Sequence, residues 1–217
     1  MNVLALATLT DSQTANPKVR QIVDAAARLF MADGYGATSM DAIAREAGVS
    51  KATLYAHFTD KASLFAAIIS SECERKAQIL WDDANDRDDV QGMLERMARA
   101  AIRFGTEAET LAIYRIVVGE TGRFPELGRI FYETGPRRVL SRLADYLREA
   151  SEKGLLEISE PRLAAEQFIG MVRGAHYLRR LLRIEEEPDA PDAERIIESA
   201  VDVFLRAYRP GYSRTSS

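Results

Sequence analysis

The chain has one cysteine, Cys73, and two histidines, His57 and His176, among its 217 residues. A single cysteine excludes an internal disulfide and fits a reducing compartment, so a cytoplasmic location is expected. So few sulfur and imidazole groups leave no zinc cluster of usual spacing, and neither a metal nor another cofactor is expected. No apolar run is long enough to span a bilayer, so no membrane association is expected. Residues 3–9 are briefly apolar, but no basic residue precedes them, which argues against a secretory signal. A Walker loop, a dinucleotide glycine fingerprint and a nucleophile elbow are all missing. The abundant carboxylates are explained by surface solvation. The inventory therefore argues against an enzyme, and no catalytic residue is assigned.

Sustained period-two alternation is missing as well, as are internal repeats and low-complexity tracts. What remains is helical periodicity along a chain that is 47% hydrophobic and 29% charged, enough for one small domain and one larger core. The expected fold class is all-α.

The most telling stretch is residues 34–61. Thr38 and Ser39 are N-cap residue types, and the apolar-periodic run Met40, Ile43, Ala44 and Ala47 follows them. Gly48 stands where a helix should end and the chain reverse, a position that often requires positive φ. Val49 would fill the angle between two helices, and Ser50 would cap the next. In that next helix Leu54 and Phe58 face inward, leaving Lys51, Ala52, Thr53, Tyr55, Ala56 and His57 outside. A short helix whose outer face begins with small polar side chains suits insertion into the major groove of DNA. A helical hairpin with ordinary caps would share the glycine but has no need of this outer face.

The chain's net charge is −4, but residues 17–61 set Lys18, Arg20, Arg28, Arg45, Lys51 and Lys61 against Asp24, Asp33, Asp41, Glu46 and Asp60, a local balance of +1. So mild a surplus predicts a modest salt dependence of DNA binding and a need for two half-sites bound together. Backbone N–H groups and helix starts would share the work at phosphates.

Residues 17–77 resemble the N-terminal domain of the tetracycline-repressor (TetR) family of transcriptional regulators. The resemblance is carried by Ile22-Val23-Asp24-Ala25-Ala26, Leu29-Phe30, Gly34-Tyr35, Thr38-Ser39, Ile43-Ala44, Ala47-Gly48-Val49-Ser50, Thr53-Leu54-Tyr55-Ala56-His57-Phe58 and Lys61. It implies a three-helix helix-turn-helix domain, joined by a fourth helix to a ligand-binding and dimerisation domain. It also implies a double-stranded DNA operator as partner. Thr38 and Ser39 would donate to phosphate, as would Lys61 and the Tyr55 hydroxyl. Lys51 and Thr53 are the candidates for base edges, lysine suiting guanine acceptors and threonine the thymine methyl. Ser50 caps the helix, while Ala52 and Ala56 are small enough for close approach. His57 either reaches a phosphate or braces the helix end.

Downstream, helices are expected over residues 62–81, 90–105, 107–119, a short segment from Pro125, then 137–151, 161–183 and 193–208. Val139, Leu140, Leu143 and Leu147 are expected to face inward. Apolar residues cover much of the circumference of 161–183, where Gly170 and Gly174 lie one turn apart, each costing about 1 kcal/mol relative to alanine. That cost is understandable where another helix or a ligand packs closely. The stripe of Ile196, Ile197, Ala200, Val201, Val203 and Phe204 is too wide for one contact. Helices 161–183 and 193–208 are therefore expected to form a homodimer interface, a four-helix bundle across two subunits.

Residues 114–174 resemble the AefR-like C-terminal domain of some of these regulators. The shared stretches are Tyr114-Arg115-Ile116-Val117-Val118-Gly119-Glu120, Phe124-Pro125-Glu126-Leu127, Phe131-Tyr132-Glu133, Gly135-Pro136 and Ala164-Ala165-Glu166-Gln167-Phe168. The resemblance implies a repressor released from DNA by a small apolar effector. Candidate ligand residues are Trp81, Met97, Phe104, Tyr114, Phe131, Phe168, Met171 and His176, although aromatic and methionine residues at helical spacing are more often core. The alternative is an effector-free architectural or division factor of the same fold, distinguished by a filled C-terminal core. The expected organisation is an arm at 1–16, a DNA-binding domain at 17–77, an effector and dimerisation domain at 78–210, and a tail at 211–217. Glu185-Glu186-Glu187-Pro188 reads as a solvated loop.

Overall fold

The computed structural model describes residues 16–81, 88–184 and 192–211, excepting the side chains of 74–81. The expected arm up to residue 15, residues 82–87 of the acidic loop expected over 82–89, the Glu185–Pro188 run and the tail beyond 211 lie outside the described residues. Among the described residues every regular element is a helix. In order these are α1 (Pro17–Asp33), α2 (Met40–Glu46), α3 (Lys51–His57), α4 (Lys61–Trp81), α5 (Val90–Gly105), α6 (Ala108–Glu120), α7 (Pro125–Thr134), α8 (Pro136–Glu152), α9 (Pro161–Leu182) and α10 (Ala193–Tyr208). No described helix is long and apolar enough to cross a membrane.

The chain forms two compact units. Among the described residues, one holds 16–77 together with 112–137, and the other holds those of 78–111 and those from 138 onward. The division expected at residue 77 therefore omits α7 and most of α6, which pack with the helix-turn-helix. Nothing local in 112–137 announces this, because the contacts it makes are some eighty residues distant in sequence.

In the first unit, Asn16 caps α1 by accepting from the Lys18 amide, and Pro17 begins the helix where its missing N–H is not needed. Val19, Ile22, Ala25, Ala26 and Phe30 turn inward to meet Ile43 and Ala44 of α2, Leu54 of α3, and Leu64 and Phe65 of α4. Val117, Leu127 and Ile130 complete the same core from α6 and α7. At its centre is Tyr35, 3% exposed, with ring centroids 5.2 Å from Phe30, 5.9 Å from Phe65 and 5.3 Å from Phe124. The Gly36 N–H donates to Glu120 Oε1 at 3.3 Å, which fastens the Gly34–Gly36 turn to the end of α6.

In the second unit, Met93, Leu94 and Met97 of α5, Leu143 and Leu147 of α8, Ala165, Phe168 and Val172 of α9, and Ile197, Val201 and Phe204 of α10 share one core. Phe168 and Phe204 meet edge to face at 5.2 Å. The Tyr208 hydroxyl donates to Gln167 Oε1 at 2.9 Å, and Arg99 pairs with Glu194. Val139, expected inward, is 42% exposed; it lies one turn ahead of Leu143, where α8 has only just entered this unit. Gly174 is also used differently from expectation. Its φ of 43° and ψ of −161° break the helical path of α9, a conformation that side chains rarely tolerate. A Cβ at Gly170 would meet nothing within 4 Å among the described residues, so the close packing expected there is not formed within them.

Burial, followed by the Glu126 and Asp60 carboxylates, pushes the Tyr35 phenol up from 10.0 to about 12. Between those values the unfolded chain has lost a proton that the folded chain keeps, so Tyr35 makes stability fall as pH rises from 10.0 to about 12. Its contribution is complete below that window. Burial acts oppositely on Lys61, lowering its ammonium below 10.5, so stability gains there as pH rises toward 10.5. Comparison with Tyr35→Phe cancels the Lys61 effect. The wild-type denaturation midpoint should fall faster than the variant's across this alkaline window, and phenolate absorbance should lose the tyrosine that titrates at about 12.

Candidate nucleic-acid interface

The motif forms because its caps and its turn are each satisfied locally. Ser39 accepts from the Ala42 amide at 3.1 Å and starts α2. Gly48, at φ 62°, reverses the chain, and the Val49 N–H reaches back to the Ala44 carbonyl at 3.0 Å. Ser50 then caps α3 by accepting from the Thr53 amide at 3.0 Å. Leu54 is fully buried and Phe58 is 3% exposed, which pins α3 at its middle and its end. Lys51, Ala52, Tyr55, Ala56 and His57 are left exposed, as are the caps Ser39 and Ser50, while Thr53 is half-buried. The Thr53 and Ser50 hydroxyls share a hydrogen bond of 2.8 Å.

Two of the expected contact residues serve the fold instead. Thr38 is 3% exposed, and its hydroxyl donates to the Gly34 carbonyl at 2.8 Å, with the Leu29 carbonyl at 3.3 Å. It closes the turn after α1; the cap and the outward hydroxyl belong to Ser39. Lys61 turns its ammonium onto the Tyr35 carbonyl at 2.7 Å and the Gly36 carbonyl at 3.3 Å, 4.7 Å from the Tyr35 ring centroid. Both have the polarity and the spacing of phosphate contacts. Both are drawn inward because the half-buried Gly34–Gly36 turn offers carbonyls as acceptors.

Ion pairs also shape the surface. Lys51 Nζ lies 2.6 Å from Asp41 Oδ2, and Arg28 donates to Glu46 Oε1 at 3.1 Å. Neither Asp41 nor Glu120 was singled out from the sequence. Each meets its partner only through the packing of separate elements, which no local spacing encodes.

Comparison with known proteins bears on this geometry directly. Residues 22–68 match the model for bacterial regulatory proteins of the tetR family, and residues 92–210 match the AefR-like transcriptional repressor C-terminal domain. The chain belongs to the TetR family. Among solved structures, the flavonoid-responsive regulator FrrA aligns with a TM-score of 0.77 and 40% identity, over 89% of this chain and 98% of that one. A TetR-family transcriptional regulator from Mesorhizobium loti MAFF303099 aligns with a TM-score of 0.74 and 31% identity, over 88% of this chain and 96% of that one. The HTH-type transcriptional regulator YvkB of Bacillus subtilis (strain 168) is 26% identical over 195 residues, 88% of this chain and 96% of that protein. The chain is thus a TetR-type transcriptional regulator with a DNA-binding helix-turn-helix.

The residues expected to bind ligand are divided in this TetR-family chain. Tyr114 and Phe131, edge to face at 5.4 Å, belong to the first unit, whereas Met97, Phe104, Phe168, Met171 and His176 belong to the second. Met97 and Phe168 are 2% and 0% exposed and serve as core. Phe104 and His176 are half-buried, the latter beside the Gly174 kink. The side chain of Trp81 lies outside the described residues. Met171 lines a groove of about 660 Å³ with Arg195, Ile196, Ser199 and Val203. Apart from Met171 of α9, its lining belongs to α10.

Thr38→Val tests the reassignment of Thr38. Losing a buried hydroxyl that satisfies a turn carbonyl should cost about 1–3 kcal/mol of stability in denaturant unfolding. Base preference in DNA-binding titrations should stay unchanged.

Proposed function

We propose that the chain is a homodimeric repressor that binds a palindromic operator and is released by a small aromatic effector. The observation that carries the DNA part is Lys51, exposed at the start of α3 while Leu54 and Phe58 hold the same helix to the core. Its ammonium suits the O6 and N7 acceptors of guanine. The Thr53 hydroxyl is occupied by Ser50, which leaves the methyl for an apolar contact such as the thymine methyl. Ser39 and Tyr55, both exposed, are placed on phosphates, and Ala52 and Ala56 permit close approach. His57, exposed at the end of α3, is read as a phosphate contact rather than a brace.

Dimerisation is supported by the outer face of α9 and α10. Leu163, Leu178, Leu182 and Val203 are 44–58% exposed there, and Gly170 leaves room for a facing helix. Such a face on a monomer would hold an apolar patch in water. Two-fold pairing would place two recognition helices on successive major grooves, about 34–36 Å apart.

Two observations bear on the effector and point in different directions. The filled second core, with Met97 and Phe168 fully buried, favours an effector-free regulator. The 40% identity with FrrA, a flavonoid-responsive regulator, favours a responsive one. We take the second reading: the effector selects a minor arrangement in which the recognition helices leave groove spacing, with α4 as the lever. Its binding energy would then open the packed region.

Three measurements test the proposal. Lys51→Ala should weaken binding to DNA selected from genomic fragments by about 1–3 kcal/mol and relax preference at one base position per half-site; undiminished affinity refutes the base-reading role. Sedimentation at micromolar concentration should give a dimer, and Val203→Glu should shift it to monomer and weaken DNA binding. A flavonoid added to the complex should release the DNA; unaltered affinity across a flavonoid panel returns the effector-free reading.

A further inference from the structure

Lys51 is engaged before any DNA arrives. Its ammonium sits 2.6 Å from Oδ2 of Asp41, which lies in the first turn of α2. The pair therefore spans the angle between the two helices of the motif. Both side chains are more than half exposed, 65% for Lys51 and 56% for Asp41, where an ion pair adds little to stability and exchanges readily. The fold does not need it: Ser39 caps α2, and Gly48, Val49 and Leu54 set the position of α3. Nor is it one of many such ties on α3, since the neighbouring Arg28–Glu46 pair joins α1 to α2. A negative side chain beside the leading cation of a DNA-binding helix opposes the general attraction of that helix for a polyanion. Its effect falls on discrimination.

We infer that Asp41 is a specificity-determining residue, holding the Lys51 ammonium so that it is released to a guanine edge and withheld from the phosphate backbone. The inference rests on Lys51 reading bases. At a cognate site the O6 and N7 acceptors replace the carboxylate oxygen as partners of the ammonium, and the base edge is neutral, so Asp41 is not repelled. At any other site the acceptors on offer are mainly phosphate oxygens. To reach one, Lys51 must leave Asp41, and the carboxylate then stands unpaired beside a like charge. Discrimination thus comes from a penalty on the wrong partner as well as from a contact with the right one. Residues 17–61 have a balance of only +1, so one retained negative charge per subunit weighs heavily in binding to DNA of any sequence.

Asp41→Asn keeps the side chain's shape and a polar head while removing its charge, and its exposed position leaves the fold intact. Binding of the dimer to a non-operator duplex should tighten about threefold to tenfold, and its log–log salt slope should steepen by about 0.9 per subunit as Lys51 engages phosphate. Operator affinity should rise less, so the ratio of operator to non-operator affinity should fall several-fold. In a Lys51→Ala background the same substitution should no longer lower that ratio. An equal gain on both DNAs would make Asp41 a general charge and overturn the inference, as would no change on either, or a falling ratio that persists without Lys51. Lys51→Ala alone separates the two levels. Unaltered base preference there sinks the base-reading role beneath this inference, whereas relaxed preference with an inert Asp41→Asn sinks the role of Asp41 alone.

Discussion

A seven-residue helix does not hold itself together in water, because nucleation uses up most of what so few backbone hydrogen bonds return. Helix α3 of the helix-turn-helix is that short, so its position depends on what holds it. Three contacts do so: the Ser50 cap at its start, Leu54 buried in the core, and Phe58 closing its end with an N–H to the Leu54 carbonyl. Because those contacts use one face and both ends, the remaining side chains are free to point outward. Gly48 sets the angle at which they do so.

The same economy appears at the turn after α1. Tyr35 enters the core between Phe30, Phe65 and Phe124, so its neighbours Gly34 and Gly36 carry carbonyls into a partly dry region. Thr38 and Lys61 satisfy those carbonyls, and Glu120 takes the Gly36 N–H. A segment from beyond residue 111 is thereby built into the DNA-binding unit.

Much of this was legible in the sequence. The helices at 90–105 and 193–208 agree with expectation at both ends, and Gly48, Ser50, Leu54 and Phe58 take the roles their spacing suggested. Thr38 and Lys61 did not, since a polar residue beside a recognition helix looks the same in sequence whether it faces solvent or a buried carbonyl. The ligand residues were least legible. Met97 and Phe168 have the periodicity of core and the chemistry of a pocket lining, and packing assigned them to core.

Capping, helix period and positive-φ glycine are settled within three or four residues of chain, which is why the primary structure alone determined the helices, the turn and the outward face of α3. The Asp41–Lys51 pair, the inward Lys61 and the union of 112–137 with the first unit were decided only on folding. Each depends on the angle and distance between elements. Those are set by how whole helical faces pack, a property no short stretch of sequence carries.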